Sequence, residues 1–537
     1  MLSPFSRSVR SSLVTALLAL SVAACSSSDG GSFLDPDYGD TLPSEPGGTG
    51  VGETGGDVPP PGDEPDDDGT GGADDDGGLP PEPDDDGIDN GSEEPEDLCD
   101  DASDVTLYLS PDDSNSMSSP VQVREAVLGE WGSVEAVAIR TWEFFNYYRF
   151  DYPAAEPGQV VVSPSLHQPD ADEDGEYLLQ IGVSSELLDE QTRAPMAITL
   201  VLDTSGSMEG RSMDMLKESS MAIAASLREG DTISIVTWAT DNQVRLERHE
   251  VTGPDDPTLL AEIEALEPGG STDLHGGLVA GYELAQSSYA AGLVNRIVLV
   301  SDGGANAGLT DVDLIAQYAG SQDEDGIYMV GVGVGDPLSY HDDLMDVVTD
   351  VGKGASVFIA DPDEAWSIFH DDFISTMAVA ARDVQVRLDM PPGFEIVSTS
   401  AEEVSTDVSE VEPQHLAPND TMVFHQRIRT CAPELLDEDA SITVTVRYRD
   451  AVTFETREVV HEQLISELLQ QSPAQLLKGA AIFSYAESLK AYKKADLEGR
   501  ASTTEGAFRA LERAEAVLEG DADLAEIRAV LEALADV

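Results

Sequence analysis

The sequence predicts an α/β protein whose centre, residues 196–377, is a doubly wound, mostly parallel sheet with helices on both faces. Two observations carry this. Short apolar runs, "MAITLVLD", "DTISIVTWA", "NRIVLVSDG", "GIYMVGVGVG" and "ASVFIAD", alternate with amphipathic segments such as "SMDMLKESSMAIAASLRE" and "DLHGGLVAGYELAQSSY". Continuous apolar strands separated by helices belong to a parallel sheet buried on both sides. Beyond this stretch the period falls to two in "DVQVRLDMP", "FEIVSTS", "MVFHQRIRT", "SITVTVRYRD" and "VTFETREVV", which predicts an antiparallel β region over 378–460. From 461 to 537 apolar residues recur at helical spacing, in one stretch broken at Pro473 and a second that holds Phe508, Leu511, Val517, Ile527 and Leu531.

The elements before the centre follow in chain order. Arg7 and Arg10, the apolar run "SSLVTALLALSVAA" and small residues before Cys25 predict an export signal over residues 1–24. The run of about 14 residues is shorter than the roughly 20 needed to cross a bilayer. Residues 25–100 contain no Lys or Arg and are rich in Gly, Pro, Asp and Glu, so they predict a disordered acidic tether that repels itself into extension. No EF-hand frame along it places Glu at the twelfth position. Residues 101–195 form an N-terminal flank, with strand patterns in "DVTLYLS" and "EYLLQIGVSS" and a helical pattern around "SVEAVAIRTWEFFNYYRF". The aromatic run "FFNYY" there reads as packing rather than as a contact surface.

A formal net charge of −77 over 537 residues excludes nucleic acid as a partner. Apart from Cys25, the chain has Cys99 and Cys431. An even pair in an exported chain predicts a disulfide between them, with two separate thiols as the alternative.

The stretch "TLVLDTSGSMEG" runs a strand into a turn bearing Asp203, Ser205 and Ser207. A hard cation such as Mg²⁺ takes six oxygens at about 2.0 to 2.1 Å, so this turn begins a shell that it cannot complete. Strands of a doubly wound sheet end close together, and loops after other strands can supply the rest. "EPGGSTDLHGG" offers Thr272, and "IVLVSDGGAN" offers Asp302. The similar run "TLYLSPDDSNSM", with Asp112, Ser114 and Ser116, has no such loops beside it and reads as a polar turn between Pro111 and Pro120. His275 lies near the cluster and reads as a helix-start residue rather than a general base. No His-Glu-x-x-His, Gly-x-Ser-x-Gly or Gly-x-x-x-x-Gly-Lys-Ser/Thr motif is present, and the chain reads as no enzyme.

"DTSGS", the Thr of "GGSTD" and "SDG" resemble the metal-ion-dependent adhesion site of von Willebrand factor type A (vWA) domains, over residues 196–377. The resemblance implies that Ser205, Ser207 and Thr272 offer hydroxyls to Mg²⁺ or Mn²⁺, with Asp203 and Asp302 binding directly or through water. It further implies metal-dependent adhesion or assembly, with an Asp or Glu carboxylate of a protein partner as the last ligand. Ser301 stands where the family more often has Thr, and the Asp and Gly after it are intact. "VAAC", residues 22–25, resembles a bacterial lipobox, which implies cleavage before Cys25, acylation of that Cys, and membrane contact through the lipid alone. Ser26 after it implies the outer membrane within the cell envelope. The flank, together with the strands and helices after the centre, resembles the YfbK-type bacterial lipoproteins, which carry a C-terminal domain of unknown function. Two other functions fit the same cluster: a scaffold whose C-terminal region makes the contacts, and a metal-dependent hydrolase.

Overall fold

The structure, a computed structural model, describes residues 105–111, 116–129, 134–169, 176–290, 292–303, 326–336, 340, 342–352, 354–430, 439–497 and 499–535. The export signal, the tether, Cys25, Cys99, Cys431, Asp112 and Ser114 lie outside the described residues. Among the described residues no helix is long and apolar enough to cross a membrane.

The flank contributes three strands, β1 (Val105–Ser110), β2 (Val161–His167) and β3 (Glu176–Ser184). The centre contributes β4 (Met196–Asp203), β5 (Thr232–Trp238), β6 (Gln243–Glu250), β7 (Val294–Ser301), β8 (Tyr328–Val334) and β9 (Ser356–Ile359). These six form one sheet in the order β6-β5-β4-β7-β8-β9, parallel except for β6, which runs antiparallel at the edge.

Every residue of β4 is buried, as a central strand covered on both faces requires. Met196, Ile198, Leu200 and Leu202 face one core, shared with Leu216 and Ile223 of the helix Arg211–Ser226. Val201 faces the other, shared with Trp238 and with Leu274 and Leu278 of the helix Leu274–Ser288. Gly277 and Gly281 let that helix approach closely. A Cβ on Gly277 would meet Trp238 Cγ at 2.5 Å, and one on Gly281 would meet Val201 Cγ2 at 2.4 Å. Any larger side chain at either position would push the helix, and the loop before it, off the sheet.

After the centre come β10 (Ala381–Met390), β11 (Phe394–Thr399), β12 (Glu403–Ser405), β13 (Gln414–Leu416), β14 (Thr421–Thr430), β15 (Ser441–Asp450) and β16 (Thr456–Leu464). The flank strands do not stand apart from these. One sheet runs β12-β1-β10-β15-β16, with β13 also on β10, and a second runs β11-β14-β3-β2. Leu109, Val386, Leu388 and Val444 from the first sheet share one core with Leu179, Ile181, Phe424 and Ile428 from the second. The strands of the regions read as 101–195 and 378–460 thus form one antiparallel sandwich, because β1 alone and the two-stranded β2–β3 pair are too few to bury an apolar face by themselves. The last strand continues to Leu464, where Leu464 pairs with Ser441, and helix begins at Ile465.

A third layer packs the helices Ala474–Lys494, Glu505–Glu515 and Ala522–Ala535 against the flank helices Ser118–Leu128 and Thr141–Tyr147. The "FFNYY" run lies here, with Phe144 edge-on to Tyr485 at 5.4 Å. The flank is also bound to the parallel-sheet domain. Arg140 pairs with Asp342 at 2.5 Å, Gln122 donates to the same carboxylate at 2.7 Å, and Arg124 pairs with Glu364.

Candidate metal centre

In the parallel sheet β5 lies on one side of β4 and β7 on the other, so the chain order reverses beside β4. A doubly wound sheet opens a crevice at such a point, at the carboxyl ends of its strands. Asp203 is the last residue of β4, paired with Trp238 across to β5, while Leu202 pairs with Val300 of β7. The sheet register therefore sets Asp203 between the loops that follow β5 and β7.

The first loop turns at once into a 3-10 turn, Gly206–Met208, pinned by the buried Met208 side chain. Asp203 is fully buried. Its Oδ1 accepts from the Ser205 backbone N–H at 2.8 Å and its Oδ2 from the Ser301 hydroxyl at 2.7 Å. Burial pushes the Asp203 carboxyl up to about 6, and the charge of Asp302 adds to the rise, while the hydrogen bonds from Ser205 and Ser301 oppose it. Ser205 is buried and Ser207 is exposed, with their hydroxyl oxygens 3.0 Å apart.

The second loop is tied to the first by backbone bonds, from Gly269 N–H to Thr204 O at 2.7 Å and from Gly206 N–H to Gly270 O at 3.1 Å. Thr240, just past β5, accepts from the Ser271 N–H at 3.0 Å. Gly270 has a φ of +95°, and a Cβ there would meet Thr240 Oγ1 at 2.8 Å, so the turn before Thr272 needs glycine. Thr272 is buried, and Asp273 caps the helix that follows by accepting from Gly276 N–H at 3.0 Å. His275 sits half-buried in the first turn of that helix.

Asp302 follows β7 and is half-buried, and Gly303 N–H returns to the Ser301 hydroxyl at 3.0 Å. The loop after β8 closes in from the far side, where a Cβ on Gly335 would lie 3.9 Å from Asp302 Cβ. The sheet thus brings Asp203, Ser205, Ser207 and Asp302 to one crevice, with the loop that carries Thr272 tied to the first by its backbone. Among the described residues no set of three or more His, Cys, Asp and Glu side chains is placed to hold a metal ion. This cluster is of a different kind, with two carboxylates and three hydroxyls, the oxygen-only donors that suit a hard cation. The raised Asp203 carboxyl fits the same use, since a divalent ion would supply the positive charge that its surroundings lack.

The other Asp/Ser run goes elsewhere. Ser116 is buried and its hydroxyl accepts from the N–H of Ser356, the first residue of β9, at 3.1 Å. It lies beside the edge strand β9, three strands away from β4. Sequence reasoning gave Ser301 no role, because a hydrogen bond between neighbouring strands leaves no mark in a linear pattern. A cleft of about 340 Å³ adjoins the first two loops, lined by Thr204, Thr240, Asp241, Gln243 and Glu267 among others. A larger cleft, about 540 Å³, lies against Arg149, His370, Asp372 and Asn419, remote from these loops. Size alone does not mark the chemistry here.

Residues 198–305 match the family described as von Willebrand factor type A domain, and the chain is a vWA-domain protein. Over 266 residues, 48% of this chain and 46% of the relative, it is 27% identical to the uncharacterized protein YfbK of Escherichia coli (strain K12). It is 25% identical over 214 residues to the uncharacterized protein sll0103 of Synechocystis, covering 40% of this chain and 49% of that one. It is also 28% identical over 155 residues to inter-alpha-trypsin inhibitor heavy chain H2 of Mus musculus, covering 27% of this chain and 16% of that protein. The matches thus span less than half the length of these relatives. Among solved structures, a von Willebrand factor type A protein from Catenulispora acidiphila aligns with a TM-score of 0.45 at 14% identity, covering 66% of this chain and 87% of that one. Domains of the vWA family commonly mediate protein interactions and commonly hold a divalent metal at this crevice.

Proposed function

We propose that this protein is a lipid-anchored protein of the bacterial cell envelope that binds a protein partner through a divalent cation held by Asp203, Ser205, Ser207, Thr272 and Asp302. The observation that carries this reading is the buried, unusually basic Asp203 carboxylate at the switch point, with the Ser205 and Ser207 hydroxyls on its own loop and the Thr272 loop stitched to that loop by backbone bonds. With Mg²⁺ or Mn²⁺ bound, the group supplies a Lewis-acidic place for an outside oxygen. The chain's residues hold that place with neutral hydroxyls more than with charge, which leaves the centre able to attract a partner's Asp or Glu carboxylate. In a chain of net charge −77, such a centre also offsets the repulsion that an acidic partner would meet.

The lipid anchor rests on the "VAAC" resemblance, with Cys25 as the acylated residue, and an outer-membrane address rests on Ser26. Metabolic labelling with a fatty-acid analogue, lost in Cys25→Ala, tests the anchor. For the metal-dependent contact, the full chain is immobilised and probed with envelope extract in Mg²⁺, in chelator, and as Asp203→Ala. The reading expects partners retained only by the wild type in Mg²⁺, while circular dichroism shows the variant folded. Equal recovery in every lane would sink it and would favour the scaffold.

A further inference from the structure

We infer that Ser301 is a positioning residue of the metal centre, which fixes the Asp203 carboxylate and joins the first metal loop to the third. The inference rests on the metal-binding reading above. Three observations support it. The Ser301 side chain is fully buried, so its hydroxyl has no water to fall back on. It sits 2.7 Å from Asp203 Oδ2 and 3.0 Å from the Gly303 N–H. Because a backbone N–H can only donate, the Ser301 oxygen accepts that bond, and its single hydrogen is committed to Asp203.

The geometry leaves Asp203 little freedom. Oδ1 is held by Ser205 N–H within its own loop, and Oδ2 is held across the sheet from β7. Donors on opposite oxygens set the plane of the carboxyl group, and the Ser205 hydroxyl adds a further bond from the first loop. Gly303 takes a φ of +78°, a left-handed turn that brings its N–H back beneath Ser301 directly after Asp302. One hydroxyl therefore aligns Asp203 and also braces the turn that carries Asp302. Removal of this kind of outer partner typically weakens metal binding about 10- to 100-fold, because the ligand must then be ordered by the ion itself.

The test uses the full chain as wild type, Ser301→Ala, Ser301→Thr and Ser301→Val. Mg²⁺ and Mn²⁺ affinities are measured by calorimetry, and melting is followed in chelator. Thr and Val differ by one hydroxyl at nearly equal volume, so this pair isolates the hydrogen bond even where Ser301→Ala fails to fold. The expected result is affinity within about 3-fold of wild type for Ser301→Thr, and a loss of about 10- to 100-fold for Ser301→Ala and Ser301→Val. Equal affinities for Ser301→Thr and Ser301→Val overturn the inference and leave the metal reading standing. A lower melting temperature in chelator with unchanged affinity does the same, since it shows a packing role only. A wild-type chain that binds neither ion overturns the metal reading, and this inference with it.

Discussion

Two buried aspartates stand at opposite ends of the parallel sheet, Asp203 where β4 ends and Asp231 just before β5 begins. Asp231 is paired with Arg193, whose two terminal nitrogens reach its two oxygens at 3.0 and 2.6 Å, and it also accepts from the N–H groups of Met196 and Arg228. Asp203 accepts from the Ser205 N–H and from the Ser205 and Ser301 hydroxyls, all neutral donors, and its acidic neighbour Asp302 adds charge of the same sign. One carboxylate has its counter-charge built into the chain. The other is equally buried, and burial raises its pKa with the like charge of Asp302 adding to the rise. A buried acid that lacks a cationic side chain at a strand-end crevice reads as a place for an external cation. A buried acid with a two-pronged arginine reads as architecture.

The strongest test of the contrast is to break the built-in pair. Asp231→Ala leaves Arg193 charged and buried, and the expected cost is about 3 to 5 kcal/mol of stability in urea titration, with or without Mg²⁺. Asp203→Asn should behave in the opposite way. In chelator the variant should be at least as stable as wild type, since a neutral amide removes a poorly solvated charge. In Mg²⁺ at about 100 times its dissociation constant, wild type should gain about 2.7 kcal/mol and the variant almost nothing. A variant that loses stability in chelator as heavily as Asp231→Ala would erase the distinction between the two ends.

The contrast was half legible in the sequence. Asp203, Ser205, Ser207 and Asp302 could be found because small oxygen-bearing residues directly after apolar strands form a local pattern, and strand ends in a doubly wound sheet are neighbours, whereas Thr272 stands in a loop between the helices Pro257–Glu264 and Leu274–Ser288 and was found through the family resemblance of its motif. What separates Asp203 from Asp231 is long-range. Arg193 lies in the linker before β4, and no spacing rule pairs it with Asp231. The edge strand β6 was missed for a different reason. Its residues are exposed or half-buried, with Arg245, Glu247, Arg248 and Glu250 among them, so it has no apolar signature and guards the sheet edge with charge. The sandwich was legible as strands but not as one body, since β1 pairs with β10, Val105 opposite Met390, across the whole intervening domain.

A smaller effect sharpens the same comparison through pH. The Asp203 carboxyl is raised from 3.8 to about 6 in the folded chain. The folded state without metal therefore binds the extra proton between those values, and in chelator Asp203 makes the protein gain stability as pH falls from 6 toward 3.8. The whole window is worth roughly 2 to 3 kcal/mol. Mg²⁺ needs the ionised form, so affinity should fall as pH drops through 6, by about tenfold at pH 5. Subtracting the profile of Asp203→Asn from that of wild type isolates this group from other acids and from His425, whose burial holds it down near 3. Opposite slopes in chelator and in Mg²⁺ are the expected signature. A wild-type affinity that is flat from pH 7 to 5 would show that Asp203 carries no raised pKa.

The smallest effect concerns the second loop. Thr240 accepts from Ser271 N–H at 3.0 Å and lies 3.1 Å from the Ser271 hydroxyl, one residue before Thr272. Unlike Asp203, it is exposed, so water can replace its bonds when they are lost. Thr240→Val keeps the shape and removes the acceptor. The expected cost is about 1 kcal/mol, read as a loss of about fivefold in Mg²⁺ affinity with melting in chelator nearly unchanged. Such a split would show that the second loop is held for the sake of the centre. A fall in melting temperature with unaltered affinity would instead place Thr240 with Asp231, as part of the architecture.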